Sequence, residues 1–400
     1  MTELLVVDVG PVAHGGHCVA RLDGQVVFVR HALPGERVRI RVTDRNKRFL
    51  RADAVEVLDA APGRVDPPCR WAGECGGCDF QHVSPPVQRE LLTSVVREQL
   101  RRLAGLQWDG VVEPIAPEDI GWRTRVTWAV GSDGRAGLRR HRSHEVVPVD
   151  RCLIAHPDLP VVTDQAWDDR SVEAIVSSTG ERLLVTDASI SDDMERRVDG
   201  VVARDGTPRA GTHRLTERVR HRDFRVTGSG FWQVHPAAAA TLVDAVLDGA
   251  EVRSGDRVVD LYAGVGLFTA FLAEEAGPAG SVAWVEADRG AVADARQNLG
   301  DLPTVEIVPR RTEQALRGGA LGERADVVVL DPPRTGAKQA VPDIASLGAR
   351  TIVYVACDPA ALARDLATFA EHSYALRSLR AFALFPMTHH VECVAVLTPG

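Results

Sequence analysis

Cys357 stands in Tyr354-Val355-Ala356-Cys357-Asp358-Pro359, where an apolar run ends and a proline opens the next periodic segment. A thiol at a helix N-terminus has its thiolate favoured by the helix dipole. The carboxylate of Asp358 opposes this, since a neighbouring negative charge raises a thiol's pKa. On its own such a cysteine reads as a small buried hydrophobe. Glu392 gives it company. It sits inside Val391–Leu397, an otherwise apolar stretch, and an acid there has a reason if it acts as a general base.

A second constellation could hold a cofactor. Asp260-Leu261-Tyr262-Ala263-Gly264-Val265-Gly266 follows a strand-like run and opens a helical one. Gly264 and Gly266 let backbone approach a ligand closely. A dinucleotide fingerprint wants a third glycine where Thr269 stands, so NAD is disfavoured. S-adenosylmethionine has no pyrophosphate and does not need that glycine. Glu286 ends the next strand, 20 residues after Gly266. A carboxylate there accepts hydrogen bonds from ribose hydroxyls; a helix cap is the other reading. Asp331-Pro332-Pro333-Arg334 ends the apolar run Val327–Leu330. Two prolines stop ladder pairing and stiffen the loop. Some amino-group methyltransferases have an aromatic residue after such a motif; Arg334 argues against an exocyclic-amine target.

The third constellation is thiol-rich. Of seven cysteines, Cys69, Cys75 and Cys78 fall within ten residues, and Cys152 follows far downstream. Met1 to Asp8 has no basic run followed by an apolar core, so it reads as a short strand and not as a signal peptide. With an odd cysteine count and no secretory signal, a disulfide framework is not expected. Four thiolates suit tetrahedral zinc or an iron–sulfur cluster, and spacing leaves both open. The Cys-x3-Cys-x2-Cys of radical enzymes is absent. Cys18 and Cys393 read as plain buried thiols. No apolar run approaches the ~18 residues of a membrane span, and a cytoplasmic protein is expected.

These groups need elements to position them. Residues 1–60 alternate apolar and polar in short runs such as Val26–Val29 and Val38–Val42, with Gly15-Gly16, Asp23-Gly24 and Pro34-Gly35 as turns. This predicts a small OB-like β-barrel with arginines facing outward, a form that commonly binds nucleic acid. Residues 61–230 predict a helix over 86–103 and short strands over 124–130, 182–186 and 224–227, a central α+β domain. From 231 to 400, strand and helix alternate: strands at 257–261, 281–286, 305–308, 327–330, 351–355 and 391–397, and helices at 237–247, 267–275, 289–299 and 359–369. This is a Rossmann-like α/β domain with a parallel sheet covered on both faces, whose ligands lie beyond the strands' carboxyl ends. The net charge of −8 weighs against nucleic acid, yet Arg37 to Arg51 holds seven basic residues and one acid. A locally basic face binds phosphate even on an acidic protein.

The ordered set Phe231-Trp232-Gln233-Val234-His235, Asp260 to Gly266, Asp331-Pro332-Pro333-Arg334, Ala356-Cys357-Asp358-Pro359 and Phe385-Pro386…His390-Val391-Glu392 resembles the motifs of the bacterial RNA 5-methyluridine methyltransferases. The resemblance extends over the whole chain, and the N-terminal strands resemble that family's RNA-binding TRAM barrel. It implies a class I S-adenosylmethionine-dependent fold and methylation of uridine C5 in structured RNA, with Cys357 as nucleophile and Glu392 as base. Gln233, Tyr262, Glu286 and Asp331 fall on its cofactor-contacting positions. Cys69, Cys75, Cys78 and Cys152 match a set that binds a [4Fe–4S] cluster in several members, which mostly act on ribosomal RNA. 23S rRNA is therefore the expected target, with tRNA the alternative, and a monomer is expected. The competing readings are an RNA-binding protein with lapsed catalysis and a methyltransferase for a base amine or a protein. The sequence departs from the family at His235 and Asp358, where many members have Asn, and at Leu267, where some have a polar cofactor contact.

Overall fold

The structure, a computed structural model, describes residues 4–400; the part of the expected first strand before Leu4 lies outside them. Leu4–Val12, Cys18–Leu22, Gln25–Arg30, Arg37–Arg45 and Phe49–Asp59 form a closed barrel, in which the first strand pairs with the fourth. Alternation dictates the lining: Val7, Val9, Val27, Val29, Val38, Ile40, Leu50 and Ala52 are buried. Each such Val, Ile or Leu side chain taken out of water contributes roughly 1.5–3 kcal/mol. Between them Arg37 and Arg41 are exposed and Arg39 half-buried, as the pattern predicted. The strand Cys18–Leu22 was not foreseen.

The central sheet has seven strands, in the order Pro208–Gly211, Gly200–Val202, Arg182–Val185, Ser171–Val176, Arg125–Val130, Ala136–Arg139 and Val146–Val147. Two pieces expected in this region pack elsewhere. The helix Pro85–Gln99 shares a core with the barrel and the C-terminal helix Pro359–Glu371. The hairpin Arg214–Val219/Arg222–Thr227 lies on the helix Arg289–Asn298, where Asp294 takes Arg214 (2.9 Å) and the Thr227 amide (2.7 Å). The apolar residues Val219, Phe224 and Val226 are what the hairpin buries there.

The C-terminal sheet has eight strands. Val305–Val308, Ser281–Val285, Arg257–Leu261, Val327–Leu330 and Thr351–Ala356 run parallel in that order. Val-rich runs buried on both faces produce this arrangement. The expected all-parallel sheet is corrected at its far side. Glu392–Pro399 inserts antiparallel between Thr351–Ala356 and Tyr374–Phe382, and Val112–Glu113 adds the edge. Tyr374–Phe382 was missed because its exposed Arg377 and Arg380 blur the apolar pattern. Among the described residues no helix is long and apolar enough to cross a membrane.

Candidate active site

The antiparallel insertion brings the chemistry together. Ala356 pairs with Cys393, so Cys357, one residue past its strand, lies beside Glu392, the first residue of the neighbouring one. Asp331 follows the adjacent parallel strand, in which Leu330 pairs with Tyr354. Cys357 is half-buried and Glu392 only 4% exposed.

The electrostatics of this edge are unusual. Burial, then the charges of Glu392 and Asp331, push the Cys357 thiol up to about 11, against the pull of the exposed Arg334. At neutral pH only on the order of 10⁻⁴ of it is thiolate. Burial and then Asp331 raise the Glu392 carboxyl well above the usual range. Burial and then Asp260 lift Asp331 to about 7. Asp260 itself is fully buried and raised to about 7 by desolvation. One of its oxygens accepts from Thr269 Oγ1 at 2.5 Å, and the other is buried without a hydrogen-bond partner. A cation brought against these acids would lower them, and with them the thiol.

Asp358 does not have the role its position suggested. Its carboxylate caps the helix Pro359–Glu371 through Ala360 N (3.0 Å) and Ala361 N (2.8 Å), and pairs with His14 of the barrel at 3.1 Å. Burial opposes its charge, but the His14 hydrogen bond and these amides hold it below the usual carboxylate range. The acids that raise the thiol are Glu392 and Asp331.

The crevice at the switch between Arg257–Leu261 and Val327–Leu330 is where a doubly wound sheet takes its ligand. Gly264 adopts φ +53°, and a side chain there would meet nothing within 4 Å, so this face is open. Gly266, at φ +92°, is required for another reason: a Cβ would lie 2.8 Å from Leu299. Tyr262 also takes a left-handed φ of +58°. Glu286 Oε1 accepts the amides of Ala287 (2.5 Å) and Asp288 (2.9 Å), and Oε2 faces Gly264 N at 3.4 Å. The N-cap of the following helix is Asp288, bonded to Ala291 N, so Glu286 is not the cap and Oε2 keeps acceptor capacity. Gln233 is half-buried beside the buried Trp232. His235 is instead a brace: Nε2 meets Pro117 O at 3.2 Å, Nδ1 accepts from Ala237 N, and the ring stacks on Trp122. Leu267 is buried in the apolar core.

Cys69, Cys75, Cys78 and Cys152 line one cavity of ≈ 400 Å³. Donors face three of them: Gly77 N lies 3.4 Å from Cys75 Sγ, Gln81 Nε2 lies 3.3 Å from Cys78 Sγ, and the Ala155 and Ile154 amides reach Cys152. Burial raises the Cys78 thiol to about 12, and the neighbouring thiols add to it. Among the described residues no three such ligands are close enough to hold one metal ion. Cys18 and Cys393 are buried, as expected.

The sequence reading missed several residues. Asp79 binds His389, and Gln88 binds Met387 on the loop before Glu392. Asp365 accepts from Tyr354 Oη (2.8 Å) and Ala337 N (2.6 Å), tying the loop after Asp331 to the helix that follows Cys357. The adjacent pair His389-His390 beside a motif was the one visible signal.

The chain is similar to known proteins over its whole length. Residues 3–55 match the TRAM domain, and residues 212–399 match the tRNA (Uracil-5-)-methyltransferase family. An uncharacterized RNA methyltransferase of Streptomyces avermitilis is 49% identical, over 100% of this chain and 99% of its own length. The 23S rRNA (uracil(1939)-C(5))-methyltransferase RlmD of Alkalilimnicola ehrlichii is 32% identical, over 96% of this chain and 94% of its own. The crystal structure of Pyrococcus abyssi tRNA (uracil-54, C5)-methyltransferase with S-adenosyl-L-homocysteine shares the fold, with a TM-score of 0.72 at 23% identity over 98% of this chain and 99% of that one. The chain belongs to the S-adenosylmethionine-dependent RNA (uracil-C5)-methyltransferases.

Proposed function

We propose that this chain methylates a uridine at C5 in 23S ribosomal RNA, in the cytoplasm, through a covalent adduct at uracil C6. The observation that carries the reading is the pairing of Ala356 with Cys393, which sets Cys357 beside Glu392. Both groups and the cofactor crevice come from one chain, so a monomer suffices. Uracil C5 is a poor nucleophile. Addition of the Cys357 sulfur to C6 converts the ring to an enolate and makes C5 reactive. S-adenosylmethionine, when bound, supplies the methyl group as an electrophile. Glu392 then takes the C5 proton, and the Cys357 sulfur leaves. Gln233, Tyr262, Gly264, Gly266, Glu286 and Asp331 hold the cofactor. The uridine must leave its stack to reach this edge, and the barrel arginines hold the surrounding RNA.

The ribosomal target is supported by the relative named for 23S rRNA, which is more similar than the tRNA enzyme. The test offers 23S rRNA fragments and tRNA transcripts with labelled S-adenosylmethionine, and maps 5-methyluridine by nuclease digestion. Label in rRNA is expected; label confined to tRNA would overturn the target.

Cys69, Cys75, Cys78 and Cys152 hold a [4Fe–4S] cluster in this reading. Four thiols on one cavity with N–H donors facing them suit thiolate ligands. Bound there, the cluster would tie the loop Cys69–Cys78 to Cys152 of the central domain. Anaerobically purified protein should contain about four iron and four labile sulfide per chain, and Cys78→Ser should lose most of both. Stoichiometric zinc without sulfide would refute the assignment.

A further inference from the structure

We infer that Asp79 is a positioning residue for the reaction edge, acting through His389 and His390 on Arg334. This rests on reading Cys357 and Glu392 as the reacting pair. Asp79 directly follows Cys78. Its Oδ2 accepts both His389 Nδ1 at 2.6 Å and His389 N at 3.1 Å, while its own amide donates to Met387 O at 2.8 Å. The rings of His389 and His390 lie 4.1 Å apart. His390 Nε2 then stands 3.4 Å from Arg334. Burial first, then the charges of His389 and Arg334, hold the His390 imidazole down at about 4. It is therefore neutral at pH 7, and its ring nitrogen can accept the Arg334 N–H. Arg334 is the cation that favours the charged forms of Cys357 and Glu392.

The rest of the loop is fixed from the same side. Gln88 Oε1 accepts from Met387 N at 2.9 Å, and Phe80 N donates to Met387 O at 3.0 Å. Met387 is held at φ +67°, a strained value for a side-chain-bearing residue. The barrel closes the other side, where a Cβ on Gly16 would lie 2.8 Å from His389 Cβ. The loop before Glu392 thus takes its shape from the thiol-bearing segment and the barrel. An exposed arginine with a long flexible stem needs such an anchor to keep its charge where it acts on the thiol.

The test compares wild type, Asp79→Asn, His389→Gln and the double variant. His389 is 30% exposed, so its variant should fold even if Asp79→Asn does not. Two readouts are taken besides turnover: iron and sulfide content, and the pH profile of Cys357 alkylation by iodoacetamide in the free protein, assigned by peptide mapping. Each single variant should lower kcat on the order of tenfold, with KM for RNA and S-adenosylmethionine within about twofold. The alkylation profile should move to higher pH by roughly half a unit or more, as Arg334 loosens. Iron and sulfide should be unchanged, and the double variant should be no worse than either single one. Wild-type kcat and alkylation in both single variants would overturn the inference. So would a loss of kcat that tracks lost iron and sulfide, or effects that multiply in the double variant. Alkylation is read without RNA, so a failure of Cys357 as nucleophile appears separately, as turnover by Cys357→Ala.

Discussion

Cys357→Ala should lower methyl transfer to RNA by on the order of 10⁴-fold or more, with the fold retained. The size follows from the reaction and not from lost packing. Without addition at C6, uracil C5 has no enolate character, and no other group at this edge replaces the sulfur. Burial raises Asp331 and Glu392 above the usual carboxylate range, and neither offers a sulfur that could add at C6. Removing one sulfur from a half-buried position costs about 1 kcal/mol of stability. Circular dichroism and S-adenosylmethionine binding by calorimetry should therefore match wild type. The measurement is labelled methyl transfer followed by nucleoside analysis. Turnover within tenfold of wild type would end the covalent mechanism, and would revive a methyltransferase that acts without a nucleophile.

Glu392→Gln should trap a protein–RNA adduct that survives denaturing electrophoresis and carries the labelled methyl group. The amide keeps the shape of the side chain but cannot take the C5 proton, so the reaction stops after methylation with the sulfur still attached. Product release should fall by about 10²–10⁴-fold. The adduct must vanish in the double variant with Cys357→Ala; an adduct that persists there would assign the bond to another residue.

The same substitution should raise stability at neutral pH. The folded-state pKa of Glu392 lies above its unfolded value. Between those two values the folded protein binds more protons than the unfolded chain, so stability falls as pH rises through that window. A neutral amide removes this loss. The melting temperature of Glu392→Gln should exceed wild type at pH 7, and the difference should shrink as pH falls through the unfolded carboxylate range. An acid held at an energetic cost at a reaction edge is the trade of stability for activity expected of a functional residue.

Much of this protein is legible in its residues. The strands 257–261, 305–308 and 327–330 coincide with the observed ones; for 257–261 and 327–330 the reason is that short Val- and Leu-rich runs bounded by turn residues have one stable use in a sheet buried on both faces. The barrel arginines face outward because the side-chain period of a strand is fixed at two. The glycine loop and Glu286 adjoin because they follow directly paired parallel strands, Leu261 beside Val285. The less regular middle of the chain was harder to divide. The hairpin 214–227 reads as part of the central region, but Phe224 and Asp294 commit it to the C-terminal body through contacts about seventy residues apart.

By itself, the sequence determined the family, the fold class and the residues able to react. Those are properties of residue type, order and local period. The tertiary structure decided how they meet. Local pattern does not encode strand direction, and it is the antiparallel insertion of Glu392–Pro399 that puts the first residue of that strand at the carboxyl edge beside Cys357; a parallel strand would have left Glu392 at the opposite edge. Charge placement was likewise nonlocal. Asp358 adjoins Cys357 in sequence, yet its carboxylate is engaged by its own helix and by His14, 344 residues away. Glu392 and Asp331, distant in sequence, set the thiol's protonation because burial beside them strengthens every charge.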